Sequence, residues 1–207
     1  HGKVLRSPYP HARIVSIDTS AARALSGVKA VLTAADAPRV MWGTHHKERL
    51  IFAAGETRFA GEEVAAVAAV TEEIARDAVD LIRVEYEEVP AILTPDEAID
   101  AAAPSVHPGR NNIAHEIQFE RGSVADGFAQ ADLVHEETYT THAQYPGYLE
   151  PMATVARVDE YGRLEVWTST QSIFLARARL AAVLELPVSR VRVLQTTVGG
   201  GFGAKII

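Results

Sequence analysis

The sequence predicts an α/β (α+β) protein built in two successive parts, and three observations carry that expectation. Strand-like runs alternate with short helix-like runs along most of the chain. Two helix starts carry cap chemistry, at Thr71-Glu72-Glu73 and at Thr94-Pro95-Asp96-Glu97. A turn-rich, aperiodic stretch, "APSVHPGRNN", lies between the two patterned parts. The expected division is a first domain at 1–103, a linker at 104–114 and a second domain at 115–207, with a mixed sheet in each half.

Residues Lys3 to Asp18 read as two short strands around the turn Ser7-Pro8-Tyr9-Pro10. "DTSAARALSGV" reads as a short helix capped by Asp18 or Thr19 and stopped by Gly27, and "VKAVLTA" as a strand. Residues 36–56 are polar and irregular. "EEVAAVAAVT" is a near-continuous apolar run, the pattern of a strand buried on both faces. Thr71 then caps the helix "EEIARDAVDLI", "RVEYEEV" returns as a strand, and a helix starts at Thr94.

Beyond the linker, strands are expected at 115–120 and at 133–144, with a short helix near 124–130 between them. "ATVARVD-EYG-RLEVWTST" reads as a hairpin. Ser172 is the expected cap of the helix "IFLARARLAAVLEL", which Pro187 ends. "RVRVLQTTV" is the last strand and leads into the glycine loop "GGGFG".

The 207 residues are 47% hydrophobic and 23% charged, ordinary for a globular protein with a real core. A net charge of −7 with scattered basic residues argues against nucleic acid, whose phosphates need a basic face. The pairs Glu62-Glu63, Glu72-Glu73, Glu87-Glu88 and Glu136-Glu137 read as solvated faces, and His45-His46 as a solvent-exposed pair rather than metal ligands. No apolar run is long enough to span a bilayer. Cysteine is absent, which excludes disulfides and cysteine-held metal clusters in this sequence and fits a cytoplasmic setting.

A run of glycines after a strand lets backbone N–H groups approach a polar or anionic ligand closely. The P-loop pattern fails, because Lys205 is followed by Ile206 and no glycine directly precedes it. The dinucleotide fingerprint fits only at Gly201-Phe202-Gly203, since Ile206 stands at its third glycine position. On spacing alone, a tight structural turn and a ligand loop carry equal weight.

The wider pattern is more specific. "GKVLRSPYPHARIVSID", "RFAGEEVAAVAAVTEEIARDA", "YLEPMATVARVDEYGRLEVWTSTQS", a helix, "VSRVRV" and "GGGFGAK" resemble, in order and spacing, the molybdenum hydroxylase family. That family includes xanthine dehydrogenase, aldehyde oxidase, carbon monoxide dehydrogenase and 4-hydroxybenzoyl-CoA reductase. The resemblance covers nearly the whole sequence. It implies an α/β hammerhead domain followed by the N-terminal part of the molybdopterin-binding domain of a large subunit, in a protein longer than these 207 residues.

The resemblance also implies roles. Gln171 matches the glutamine whose amide lies beside an oxygen ligand of molybdenum, where it can donate without adding charge. Gly200, Gly201, Phe202 and Gly203 match the loop under the metal and its pterin, with Phe202 as an aromatic wall for a flat substrate. Glu150 matches a structural acid near the site, and Arg58, Phe59, Gly61 and Glu62 match a motif that shapes a domain interface. No catalytic residue is expected within the sequence, since the family's general-base glutamate lies downstream.

The implied cofactor is molybdopterin in its cytosine dinucleotide form, with FAD and 2Fe-2S clusters on partner subunits or domains. Implied partners are the remainder of the molybdenum-binding subunit and the flavin and iron–sulfur subunits. Self-association is expected through the edge of the strand "VRVLQTTV". The implied reaction hydroxylates an aldehyde, aromatic CoA thioester or N-heterocycle with water-derived oxygen, or runs reductively. Purine-oxidising members carry an acid after the loop lysine, where this sequence has Ile206. A non-catalytic assembly module and a nucleotide-binding enzyme are the alternatives from other classes.

Overall fold

The computed structural model describes residues 1–43 and 46–206. The first half contains β1 (Gly2–Arg6), β2 (Ala12–Asp18), α1 (Ser20–Ala24), β3 (Val28–Thr33), β4 (Glu56–Thr57), β5 (Glu63–Ala69), α2 (Glu72–Asp80), β6 (Arg83–Glu88) and α3 (Pro95–Ile99). The second contains α4 (Val124–Ala129), β7 (Thr154–Val158), β8 (Leu164–Thr168), α5 (Ile173–Val183) and β9 (Val191–Gln195). The α/β class holds.

Local chemistry sets the helix starts. The Thr71 hydroxyl accepts from Ile74 N at 3.2 Å and starts α2. At α3, Thr94 and Glu97 form a reciprocal capping box, each side chain accepting from the other's backbone N–H. For α1 it is Asp18 that acts, accepting from Ser20 N at 2.9 Å. Ser172 departs from expectation: its side chain makes no cap bond, and its own N–H donates to Thr170 Oγ1. Helix α5 also ends before Pro187, because Glu185 turns left-handed (φ 54°) and Leu186 N returns to Ala181 O at 2.8 Å.

The first half holds two antiparallel sheets, ordered β1-β5-β3 and β4-β2-β6, rather than one mixed sheet. The reason is the crossover: α2 carries the chain from β5 to β6 in the other sheet, so no parallel neighbour forms. β5 is the central strand and is buried along most of its length. Its small side chains let α1 and α2 pack closely, and Ala22, Val31, Ala65, Val67, Ala78 and Ile82 form the core between them.

The second half has one mixed sheet, β7-β8-β9, antiparallel on one side and parallel on the other. Glu165, central in β8, faces Arg157 in β7 and Arg192 in β9. Its carboxylate takes Arg157 Nη2 at 2.6 Å and Arg192 Nη1 at 3.2 Å, joining all three strands. Arg157 holds the Glu165 carboxyl below its ordinary value; desolvation opposes this, and Arg192 adds to it.

The strands expected at 115–120 and 133–144 do not form. Alternation makes a segment compatible with a strand, but a strand needs a partner's backbone, and none of the described residues pairs with these segments. Their large side chains stand in solvent, with Phe119 86% and Leu133 84% exposed. The helix between them is present as α4.

The stretch 104–112 is ordered by its own side chains. Asn112 accepts from Val106 N and donates to Ala98 O and Pro104 O, at 2.9–3.1 Å. Arg58 Nε donates to Val106 O at 3.0 Å, binding this stretch to the first half.

Two outcomes are expected. Limited proteolysis read by mass spectrometry should cut first within 113–122 or 132–147, on either side of α4, and spare 104–112, which Asn112 and Arg58 hold. Glu165→Gln should lower the melting temperature at pH 7. A carboxyl with a depressed folded-state pKa stabilises above its unfolded pKa and loses that contribution as pH falls through the folded one. The difference from the parent should therefore shrink towards acid pH in paired thermal melts.

Candidate cofactor surface at the glycine loop

The parallel pairing of β8 and β9 decides what meets at this surface. With Thr168 opposite Gln195, the two strands end side by side and their exit loops, 169–172 and 196–206, leave together. Thr196 N donates to Thr168 O at 3.2 Å and Gln195 Nε2 to Thr170 O at 2.7 Å, extending the register beyond the strands. Gln171 and the glycine loop are neighbours for this reason.

Gln171 is a clamp on the loop. Its backbone N–H donates to Lys205 O at 2.6 Å, and its side-chain Oε1 accepts from Gly203 N at 3.1 Å and Lys205 N at 3.2 Å. Two N–H donors on one atom identify that atom as the oxygen. The amide nitrogen is left as a donor with no hydrogen-bond partner among the described residues.

The glycines are required at particular points. A Cβ on Gly201 would lie 2.5 Å from Gln171 Oε1, and one on Gly199 would lie 2.6 Å from Glu150 Cβ. Gly200 has φ +92°. Phe202 adopts φ 51°, unusual for a bulky residue, and the residue is 77% exposed. Space around Gly203 is open.

Lys205 and Glu150 complete the site. Lys205 is 2% exposed. Its ammonium donates to Glu150 Oε2 at 2.6 Å and to Glu150 O at 3.0 Å, and lies over the Tyr148 ring. Glu150 Oε2 also accepts from Gly199 N at 2.6 Å. The Lys205 ammonium, then the Gly199 N–H, hold the Glu150 carboxyl below its ordinary value. Sequence reasoning placed Glu150 as a structural acid but missed Lys205, which it weighed only against phosphate motifs. An ammonium so committed is not free to reach a phosphate.

Arg58, Phe59, Gly61 and Glu62 lie elsewhere, in the turn between β4 and β5. Glu62 Oε2 accepts from Arg58 N, Gly61 N donates to Ser7 O, and Phe59 stacks under Arg49. His46 Nε2 is 3.0 Å from Ala114 O, and His45 lies outside the described residues. Among the described residues no cluster of three or more histidines and carboxylates is placed to hold a metal ion.

The sequence matches the "Molybdopterin cofactor-binding domain" over residues 106–207 and the "Aldehyde oxidase and xanthine dehydrogenase, a/b hammerhead domain" over residues 1–90. The chain belongs to the molybdenum hydroxylase family. It is 41% identical over 204 residues to the nicotinate dehydrogenase large molybdopterin subunit of Eubacterium barkeri, covering 98% of this chain and 48% of that one. The carbon monoxide dehydrogenase large chain of Afipia carboxidovorans is 34% identical, covering 99% and 28%.

Among solved molybdenum hydroxylases, quinoline 2-oxidoreductase from Pseudomonas putida superimposes with a TM-score of 0.82 at 33% identity, covering 99% of this chain and 27% of that one. The aldehyde oxidoreductase of Desulfovibrio desulfuricans gives 0.91 at 28%, covering 100% and 24%. The chain thus spans about half the length of the nicotinate relative and about a quarter of these others.

The residues present fit one wall of a molybdopterin site. The Gln171 amide nitrogen is an uncharged donor with no partner among the described residues, suited to an oxygen-rich group, and the space beside Gly203 is open for a ligand to approach the backbone.

The two tight glycines should respond to alanine for different reasons. At Gly201 the obstacle is the Gln171 side chain from Cγ to Oε1, so Gly201→Ala should swing it aside and lose its two hydrogen bonds to the loop, about 0.5–1.5 kcal/mol each in denaturant unfolding. At Gly199 the obstacle is a Cβ that cannot move without its backbone. Gly199→Ala should cost about 1–3 kcal/mol in denaturant unfolding.

Proposed function

We propose that the chain supplies the hammerhead unit and the first cofactor-binding loop of a molybdenum-dependent oxidoreductase, with Gln171, Gly200, Gly201, Phe202 and Gly203 as its cofactor-binding residues. The observation that carries this reading is the Gln171 amide: its oxygen is occupied by the loop, so its nitrogen must serve as donor towards whatever the loop faces. The hammerhead unit is assigned to 1–103, the linker to 104–114 and the cofactor domain to 115–207; the matched regions, 1–90 and 106–207, support two units without fixing these bounds.

When bound, the molybdenum cofactor supplies the two-electron oxidation of a carbon with oxygen from water, or its reversal. The residues of this chain position it. Gln171 donates one N–H to the group without adding charge, the glycines let backbone amides approach it, and Phe202 offers an aromatic face to a flat substrate. No residue of this chain is assigned as general base. The cofactor is assigned the cytosine dinucleotide form, and electrons leave through 2Fe-2S and FAD partners in a cytoplasmic complex.

The substrate class proposed is an N-heterocycle, with aldehydes and aromatic CoA thioesters as the other outcomes. Ile206 leaves no acid after Lys205 to bond a purine, and a nicotinate dehydrogenase and a quinoline oxidoreductase are among the similar proteins. Self-association belongs to the same reading, but its surface is reassigned. The greater apolar exposure lies at 113–158, including Ile117, Phe119, Leu133, Tyr139 and Val155, rather than along β9.

Gln171→Ala tests the site. In the assembled enzyme, turnover per bound molybdenum should fall by about 10²–10³ with a smaller change in KM, the usual loss when a donor to developing charge is removed. Full molybdenum content with unchanged turnover would remove Gln171 from the site.

A further inference from the structure

Lys205 is an anomaly among the chain's basic residues. It is 2% exposed, whereas the arginines of the other well-formed ion pairs in the same sheet keep 56–67% of their side chains in solvent. A lysine loses hydration on burial and is retained inside only where its ammonium is fully used. Here it has two oxygens of one residue and an aromatic face.

We propose that Lys205 is the positioning residue of the cofactor surface: its ammonium, bridged by Glu150 to Gly199, closes the glycine loop on itself and thereby fixes the Gln171 amide with oxygen inward and nitrogen free to donate. The inference rests on the reading of Gln171 as the donor to the cofactor, and goes beyond it in naming what orients that donor.

The connections form a closed circuit. Glu150 Oε2 accepts from Gly199 N at the start of the loop and from Lys205 Nζ at its end. The Lys205 backbone meets Gln171 twice, giving N–H to its side chain and taking N–H from its main chain. Thr170 Oγ1 adds a second donor to Lys205 O at 3.1 Å. Gln171 Oε1 holds Gly203 N as well. One side chain therefore spans from the loop's entry to the atom that sets the amide's orientation. Without the ammonium, Glu150 would keep an unpaired carboxylate against Gly199, and the loop's far end would lose its tie to its near end. The glutamine could then rotate, exchanging its oxygen for its nitrogen.

The experiment uses nuclear magnetic resonance on the 207-residue chain and needs no cofactor, so its outcome is independent of activity. Amide hydrogen exchange and the Gln171 side-chain NH2 signals are compared in the parent, Lys205→Met, Glu150→Gln and the double variant. In Lys205→Met, the Gly199, Gly203 and Lys205 amides should exchange at least about tenfold faster, while the β8–β9 amides stay as they were. The Gln171 NH2 pair should move to the shifts of a free glutamine. The double variant removes the unpaired carboxylate and should not restore either signature, because neutrality alone does not tie the loop ends.

A uniform rise in exchange across β7, β8 and β9, with the Gln171 pair unmoved, would reduce Lys205 to a structural role and overturn the proposal. So would restoration by the double variant.

Should a substitution prevent folding, the parent alone decides. The groups facing Glu150 are Lys205, Tyr148 beneath the ammonium, and Ser169. Glu150 is the carboxyl of this set, and the Lys205 ammonium and the Gly199 N–H hold it below its ordinary value. Its depressed pKa keeps the circuit closed at neutral pH and opens it below the usual carboxylate range. The Gln171 NH2 and Gly203 amide shifts must follow the Glu150 carboxyl with one midpoint. A Glu150 titration that leaves Gln171 unmoved overturns the proposal. Loss of turnover in Gln171→Ala is a separate result, and either finding can stand while the other falls.

Discussion

A single carboxylate oxygen organises the functional end of this chain. Glu150 Oε2 receives an N–H from the first glycine of the loop and the buried ammonium of Lys205 near its last residues. A glycine-rich segment has the largest conformational entropy to lose on ordering and no side chains of its own to offset it. The order of residues 199–205 must come from outside the glycines. It comes from Gln171, which leaves β8 beside the parallel β9, and from Glu150, which precedes β7 where Thr154 pairs antiparallel with Thr168.

The first half follows a different economy of shape. Its core is made largely of alanine and valine, which provide little area per residue but allow backbone elements to approach closely. Ala22, Ala65 and Ala78 are fully buried, so a larger side chain there would overpack the core. Two thin antiparallel sheets share this body because α2 passes from one to the other. The turn at Arg58–Glu62 ties both β1's exit, through Ser7, and the ordered stretch around Val106.

Features whose physics is local were legible in the sequence. Thr71 and the Thr94–Glu97 box announced α2 and α3 because a cap is a contact within four residues. The joining of Gln171 with the glycine loop in one site came from the resemblance to the molybdenum hydroxylases, not from spacing. What escaped depends on distant partners. Residues 115–120 and 133–144 carry strand periodicity, yet no described residue supplies their ladders. The two-sheet arrangement depended on which sheet β6 joins, which no local pattern specifies. Ser172 looked like a cap, but its side chain makes no cap bond. The pairing of Lys205 with Glu150 was not foreseen, because the two stand 55 residues apart.

Two non-glycine residues, Glu185 and Phe202, occupy left-handed backbone. Such a placement costs an L-residue roughly 1–2 kcal/mol that glycine would not incur. At Glu185 the conformation ends a helix, and folding alone explains it. Phe202 stands among four glycines, so glycine was plainly accessible at that position, yet a phenylalanine is kept with its ring turned to solvent. Neither packing nor local propensity rewards that choice. Backbone strain held beneath an exposed ring, where glycine is the ordinary occupant, points to a contact made outside these residues.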